Sequence, residues 1–165
     1  MEKVNIREIR AEELGVLDEM LYESIFQPEG CAPVPRHVTQ IPEINVYIDG
    51  FGSKKNDYCL VAEMESRIIG AVWVRILAGK IKGYGNIDDR TPEFAISLLK
   101  EYRNRGIGTQ LMQRMIEYLK KQGYAQTSLS VQKKNYAARM YQKLGFEIIR
   151  ENEEDYIMVL KLNKI

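Results

Sequence analysis

Histidine occurs once in the chain, as His37, and cysteine twice, as Cys31 and Cys59. These residues are too few and too scattered for a disulfide framework or a zinc site, so no metal is expected. A nucleophilic cysteine mechanism on Cys31 and His37 would also need an orienting group and rigid support. Both residues fall in a proline-rich stretch and are read as incidental loop residues. Neither sign of charge dominates: 24 Lys and Arg against 23 Asp and Glu leave a formal net charge of +1. The basic field that nucleic-acid binding requires is missing, so no nucleic-acid partner is expected. No apolar stretch approaches the ~20 residues that span a bilayer. The opening MEKVNIREIR is charged and lacks the apolar run of a signal peptide. These absences predict a cytoplasmic protein with no membrane partner. What is present is ordinary for a globular chain: 165 residues, 45% apolar and 28% charged, enough for a single domain over 1–165.

Apolar and charged residues alternate over Val4–Arg10, which predicts a strand, and Leu14, Leu17, Met20, Leu21 and Ile25 recur at helical spacing in Ala11–Phe26. Residues 27–42 hold all but one of the five prolines and are expected to lack regular structure, as a binding loop, a lid or a mobile segment. A short helix is expected over Pro42–Phe51. Asp57–Glu63 and Arg67–Leu77 predict a hairpin turned at Glu65–Ser66. A glycine-rich, acidic connection, 79–93, leads to a strand at Phe94–Leu99. A helix follows over 106–122, then a strand at Thr127–Val131, a helix at Asn135–Leu144, and closing strands at Phe146–Arg150 and Tyr156–Leu162. The fold class is therefore α/β (α+β): a mixed, mostly antiparallel sheet of about seven strands with about four helices. Its middle strand–helix–strand unit should be a parallel crossover.

The helix at 106–122 begins oddly. Helix N-termini carry partial positive charge and unpaired N–H groups, and favour Asp, Glu, Ser or Thr. Here Arg103, Asn104, Arg105, Gly106, Ile107 and Gly108 stand instead. Unpaired N–H groups, close backbone approach at glycine and flanking arginines suit a phosphate or pyrophosphate. A strand-to-helix turn with solvated arginines is the plainer explanation. A nucleotide P-loop needs GxxxxGK with a following Ser or Thr, and none is present. A dinucleotide fingerprint fails at Leu111, where its third glycine belongs.

R-x-x-G-x-G opening a helix directly after a strand resembles the coenzyme A pyrophosphate signature of the GNAT acetyltransferase superfamily. NYAARMYQKLGFEI, 135–148, resembles that superfamily's Asn, Ala, Tyr, Gly-Phe segment. The resemblance covers 93–162 well; before that only the order of elements matches. It implies a GNAT-type acyl-CoA N-acyltransferase fold with acetyl-CoA as cosubstrate. The turn Arg103, Asn104, Arg105, Gly106, Ile107, Gly108 and Thr109 would take the pyrophosphate. Ile96, Ser97 and Leu98 would pair with the pantetheine arm like an added strand, and an N–H near Leu98 or Leu99 would face the thioester oxygen. Ala95 and Ser97 on one strand, and Ser128 and Ser130 on the next, leave room close to the sheet, for a ligand or for tight helix packing.

Tyr141 matches the family's general acid; it also fits a core aromatic beside Ala137, Ala138 and Leu144. Asn135 matches a cofactor- or substrate-contacting Asn, with Lys134 taking its place at the family's other common spacing, and it suits a helix N-cap. The base is open. The matching position on the fifth strand is Ser130, and on the fourth Glu93 lies nearby, with Pro92 at the closer alignment. Asp88, Asp89 and Glu93 form an acidic approach suited to a cationic amine, or a solvated loop. An α-amine acceptor, with a pKa near 8, would need no base. Trp73, Tyr22 and Tyr47 are candidate pocket aromatics, though such residues usually belong to the core. The implied activity is N-acetylation of a primary amine on a small molecule or peptide, by direct attack in a ternary complex. The alternative is a non-catalytic acyl-CoA-binding sensor or interaction module. The acceptor, and whether the protein is a homodimer, are not legible.

Overall fold

The computed structural model describes residues 3–163. In chain order the strands and helices are β1 (Asn5–Glu8), α1 (Val16–Ser24), α2 (Pro42–Asn45), β2 (Tyr58–Met64), β3 (Arg67–Arg75), β4 (Glu93–Leu98), α3 (Ile107–Lys121), β5 (Gln126–Gln132), α4 (Ala137–Lys143), β6 (Glu147–Glu151) and β7 (Asp155–Lys161). The seven strands make one sheet in the order β1-β2-β3-β4-β5-β7-β6. Every neighbouring pair is antiparallel except β4 and β5. The expected mixed, mostly antiparallel sheet with four helices is thus what forms.

Side-chain alternation sends successive residues of β2 and β3 to opposite faces. Cys59, Val61, Ala71 and Trp73 pack with Leu17, Met20 and Leu21 of α1. Leu60, Ala62, Val72 and Val74 pack with Leu111, Met112, Met115 and Leu119 of α3. Helices on both faces explain why these two central strands read as near-continuous apolar runs. The hairpin between them turns at Glu65 (φ 51°) and Ser66 (φ 63°), the left-handed pair of a two-residue hairpin loop.

Three expectations need correction. The helix expected from Ala11 is split: Ala11–Glu13 is a separate 3₁₀ turn, closed by the Glu13 carboxylate, which accepts from Arg10 N at 2.8 Å and from Arg7 Nη2 at 2.8 Å. The helix from Pro42 ends at Asn45. Beyond it the carbonyls of Val46 and Asp49 accept from Arg75 Nη1 (3.0 and 2.7 Å), and Gly50 and Gly52 turn left-handed. Residues 27–42 include a 3₁₀ turn, Arg36–Gln40, started by Pro35. This segment is fastened to α1: Tyr22 Oη donates to Val34 O (2.5 Å) and Thr39 Oγ1 to Asp18 Oδ1 (2.8 Å). Among the described residues no helix is long and apolar enough to cross a membrane.

Candidate active site

β4 runs through a 3₁₀ turn, Lys100–Tyr102, into the segment Arg103–Gly106. Asn104 (φ 63°) and Gly106 (φ 81°) are left-handed, and Gly106 caps α3 without a side-chain hydrogen bond. Gln110 N donates to Gly106 O at 3.2 Å. The preceding N–H groups, of Ile107, Gly108 and Thr109, therefore have no carbonyl in the helix to meet. Ile107 buries its side chain in the core, so only its backbone can serve a ligand. A Cβ built on Gly106 would meet nothing within 4 Å, whereas one on Gly108 would touch Leu98 Cδ1 (3.7 Å) and Met140 Sδ (3.9 Å). The start of α3, the end of β4 and α4 thus converge here. Arg103 is already engaged: Nε donates to Leu98 O (2.9 Å) and Nη2 to Glu23 Oε2 (3.0 Å). Its guanidinium fastens the turn to β4 and α1. Arg105 lies 5.4 Å over the Tyr102 ring.

Beside this turn the sheet parts. Among the described residues β4 pairs with β5 only at Glu93↔Ser128, where Ser128 N donates to Pro92 O at 3.1 Å. On its other side β4 is fully paired with β3, from Arg75↔Glu93 to Gly70↔Leu98. Leu99 N donates to Ile69 O, so the odd residues turn their backbone groups to β3. Ile96 and Leu98 then turn theirs toward β5, into the opening. Ser97 instead faces α1, where its Oγ donates to Met20 O (2.7 Å); tight helix packing accounts for this small residue.

Glu93 lies at the closed end of the opening, buried on the face covered by α1 and α2. Its Oε2 accepts from the Tyr47 hydroxyl and from Gly85 N (3.1 Å). Its Oε1 is buried without a hydrogen-bond partner, and so is the hydroxyl of its register partner Ser128. Burial pushes the Glu93 carboxyl up to about 7, although the Tyr47 and Gly85 hydrogen bonds pull the other way. A carboxyl poised near neutrality can take a proton at physiological pH. Tyr47 is held in turn: Trp73 Nε1 donates to its carbonyl (3.1 Å), and its hydroxyl oxygen accepts from Tyr84 N (2.9 Å). Arg75, which holds the neighbouring carbonyls, is itself fixed by two bonds to the buried Asp57 (2.7 and 3.0 Å).

Tyr141 is buried on the opposite face, among the residues that pack against α3. It tilts against Phe146 (6.0 Å between centroids), which meets Phe94 of β4 edge-on (5.9 Å). Burial raises its phenol above the ordinary value, so it is protonated at neutral pH, the form a general acid needs. Asn135 Oδ1 accepts from Ala137 N (2.9 Å), a turn that leads into α4, but the N-cap position falls on Tyr136 and carries no side-chain cap, one residue later than the sequence suggested. Asn135 and Lys134 both line a cleft of about 390 Å³ with Lys133, Tyr136, Arg139 and Tyr156.

The structure separates the acidic trio: Glu93 is buried, while Asp89 is exposed and Asp88 Oδ1 accepts from Arg90 N (2.9 Å). It brings Tyr47 to Glu93, an association that the sequence pattern did not single out. Forty-six positions separate the two, and a tyrosine within an apolar pattern carries no mark of its polar partner. Gly83 and Gly85 were also missed. A Cβ on Gly83 would meet Glu93 Oε1 at 2.1 Å, and one on Gly85 the β5 backbone at 2.7 Å. The only signal was their spacing in GYG.

The sequence model of the acetyltransferase (GNAT) family matches residues 20–146. No curated protein sequence matches the chain. Among solved structures, PaiA N-acetyltransferase of Thermoplasma acidophilum, in complex with coenzyme A, is 22% identical with a TM-score of 0.66, over 96% of this chain and 99% of that one. YncA of Salmonella typhimurium, solved with its cofactor acetyl-CoA, is 15% identical with a TM-score of 0.69, over 99% and 96%. The ribosomal-protein-S18-alanine N-acetyltransferase of Escherichia coli is 16% identical with a TM-score of 0.67, over 99% and 96%. At these identities the likeness shows a shared fold.

Proposed function

The chain belongs to the acetyltransferase (GNAT) family, and on that premise we propose that it transfers the acetyl group of acetyl-CoA to a primary amine by direct attack in a ternary complex. One observation carries the reading: β4 and β5 part beyond Glu93↔Ser128 beside the uncapped start of α3. The N–H groups of Ile107, Gly108 and Thr109 would hold the pyrophosphate, with Asn104 and Gly106 shaping the turn and Arg105 adding charge. Arg103 would act by holding the turn in place. Ile96 would offer its backbone groups to the pantetheine arm; the Leu98 carbonyl is held by Arg103, and the Leu98 N–H would face the thioester oxygen as charge develops there. Asn135 would meet the cofactor beside α4.

In this mechanism Glu93 and Tyr141 serve the reaction from opposite faces of the sheet. The amine gives a proton to Glu93 and its nitrogen attacks the carbonyl carbon. The resulting oxyanion collapses, the C–S bond breaks, and the thiolate leaves with the bonding pair. Tyr141 then supplies the thiolate's proton. The acceptor is an amine-bearing small molecule or peptide. Initial rates varied in acetyl-CoA and amine test the order of events. Intersecting double-reciprocal lines are expected; parallel lines would mean an acetylated enzyme and overturn direct transfer.

A further inference from the structure

We infer that Tyr47 is the positioning residue for the base: by donating its hydroxyl proton to Glu93 Oε2, it leaves Oε1 as the atom that receives the proton of the attacking amine. This rests on the reading of Glu93 as the base. The orientation follows from three contacts. Tyr84 N–H donates to the Tyr47 oxygen, so the phenolic hydrogen is directed to the other partner of that oxygen, Glu93 Oε2. Gly85 N–H donates to the same carboxylate oxygen. Two donors therefore occupy Oε2, while Oε1 is buried with no partner among the described residues. A carboxylate protonates most readily at the oxygen whose lone pairs are free.

The surroundings of the pair are otherwise nearly neutral. From β3, the guanidinium of Arg75, register partner of Glu93, is paired with Asp57. From β5, Ser128 presents an uncharged hydroxyl. From the 83–85 segment, the Tyr84 ring stacks near Tyr47, 6.5 Å between centroids. The Tyr84 phenol is itself raised, first by burial and then by the charges of Glu43 and Asp155. Among the described residues no cation free of a carboxylate partner faces Glu93, so Tyr47 is the side chain that stabilises its ionised form. The backbone holds Tyr47 to that task through Trp73 Nε1 on its own carbonyl and Arg75 on the carbonyl before it. In the proton transfer the amine N–H bond breaks, an O–H bond forms at Oε1, and the carboxylate becomes a neutral acid.

The test compares wild type, Tyr47→Phe and Glu93→Gln. Infrared difference titration reads the Glu93 carboxyl, with Glu93→Gln as the blank, and needs no turnover. The pH profile of kcat/KM reads the base in action. Tyr47→Phe should raise the Glu93 midpoint above about 7 by roughly one pH unit, the size of one lost hydrogen bond to a carboxylate. The acidic limb of the rate should move with it, and the rates should converge at high pH. The C=O band of the protonated acid, carried by Oε2, should shift to higher frequency once the tyrosine donor is gone. An unchanged midpoint and band in a folded Tyr47→Phe protein overturn the proposal. So does a uniform rate loss at every pH, which is the mark of a merely structural role. A midpoint that rises while the rate limb stays fixed overturns Glu93 as the base, and the positioning role with it, yet leaves the hydrogen bond established.

Discussion

Gly83→Ala is a one-carbon test of whether the Glu93 carboxylate is catalytic. The added Cβ would stand 2.1 Å from Glu93 Oε1, 2.8 Å from Leu77 Cδ1 and 2.9 Å from Glu93 Cδ. Ordinary contact begins near 3.4 Å, so the carboxylate and the loop must separate by about 1.3 Å. Gly83 N already donates to Leu77 O (3.1 Å), and β4 is tied to β3 at Glu93. Relief therefore falls mainly on the side chain of Glu93. Overpacking of this kind costs about 1–3 kcal/mol of stability. A reacting group displaced by about an ångström loses roughly a hundredfold in rate. We expect kcat/KM to fall about a hundredfold, while coenzyme A affinity, read by calorimetry, changes less than twofold. The start of α3 and the end of β4, proposed to hold the cofactor, lie away from this clash. A folded Gly83→Ala protein with near wild-type kcat/KM would refute a base at Glu93.

Glu93→Gln should stabilise the fold as it abolishes the rate. The Glu93 pKa is raised from 4.5 to about 7 by burial, so its contribution to stability is full below 4.5 and is lost as pH rises through 7. The loss is of the order of 3 kcal/mol. Urea unfolding at pH 5 and pH 8 should show that decline in wild type and not in Glu93→Gln. Gly106→Asp places a carboxylate against the open N–H groups of α3; the new Cβ meets nothing within 4 Å but sits at φ +81°, a strain of about 1–2 kcal/mol for an L side chain, so folding is checked first by circular dichroism. Coenzyme A affinity measured by calorimetry should drop at least about tenfold, a loss of 1.4 kcal/mol or more, and unchanged affinity would remove the turn as the pyrophosphate site. Tyr141→Phe should lower kcat about a hundredfold, as loss of a general acid does, with acetyl-CoA affinity retained.

The sequence of elements along the chain, the parallel unit and the uncapped helix were legible because each leaves a local mark. Ile107, Leu111, Met112, Met115, Ile116 and Leu119 keep helical spacing, and all six are buried. Gly106 and Gly123 bound that helix and both are left-handed. The Glu93 environment left no such mark. It is assembled from Tyr47, the 83–85 turn, β3 and β5, contacts made across the sheet rather than along the chain. Asp57 and Arg75 fell in the two strands of the expected hairpin with nothing to mark them as partners, yet they form a buried pair that holds the backbone on either side of Tyr47. Arg103 was read as a phosphate ligand because charge is visible in sequence; its partners Leu98 O and Glu23 are not. The helix from Pro42 was drawn too long because helical spacing cannot register that Tyr47 N and Ile48 N turn to the carbonyls three residues back, Ile44 and Asn45, while Arg75 takes those of Val46 and Asp49.

The central claim is acetyl transfer from acetyl-CoA to an amine. Its most direct measurement is thiol release from acetyl-CoA across a panel of peptide N-termini, lysine, polyamine, amino-acid and aminoglycoside-type amines, with products weighed by mass spectrometry. Acetylated amine should form in step with free thiol for at least one class, and Glu93→Gln should suppress both. Tight acetyl-CoA binding with no thiol released by any amine would contradict the account, and would make the chain an acyl-CoA-binding module on this fold.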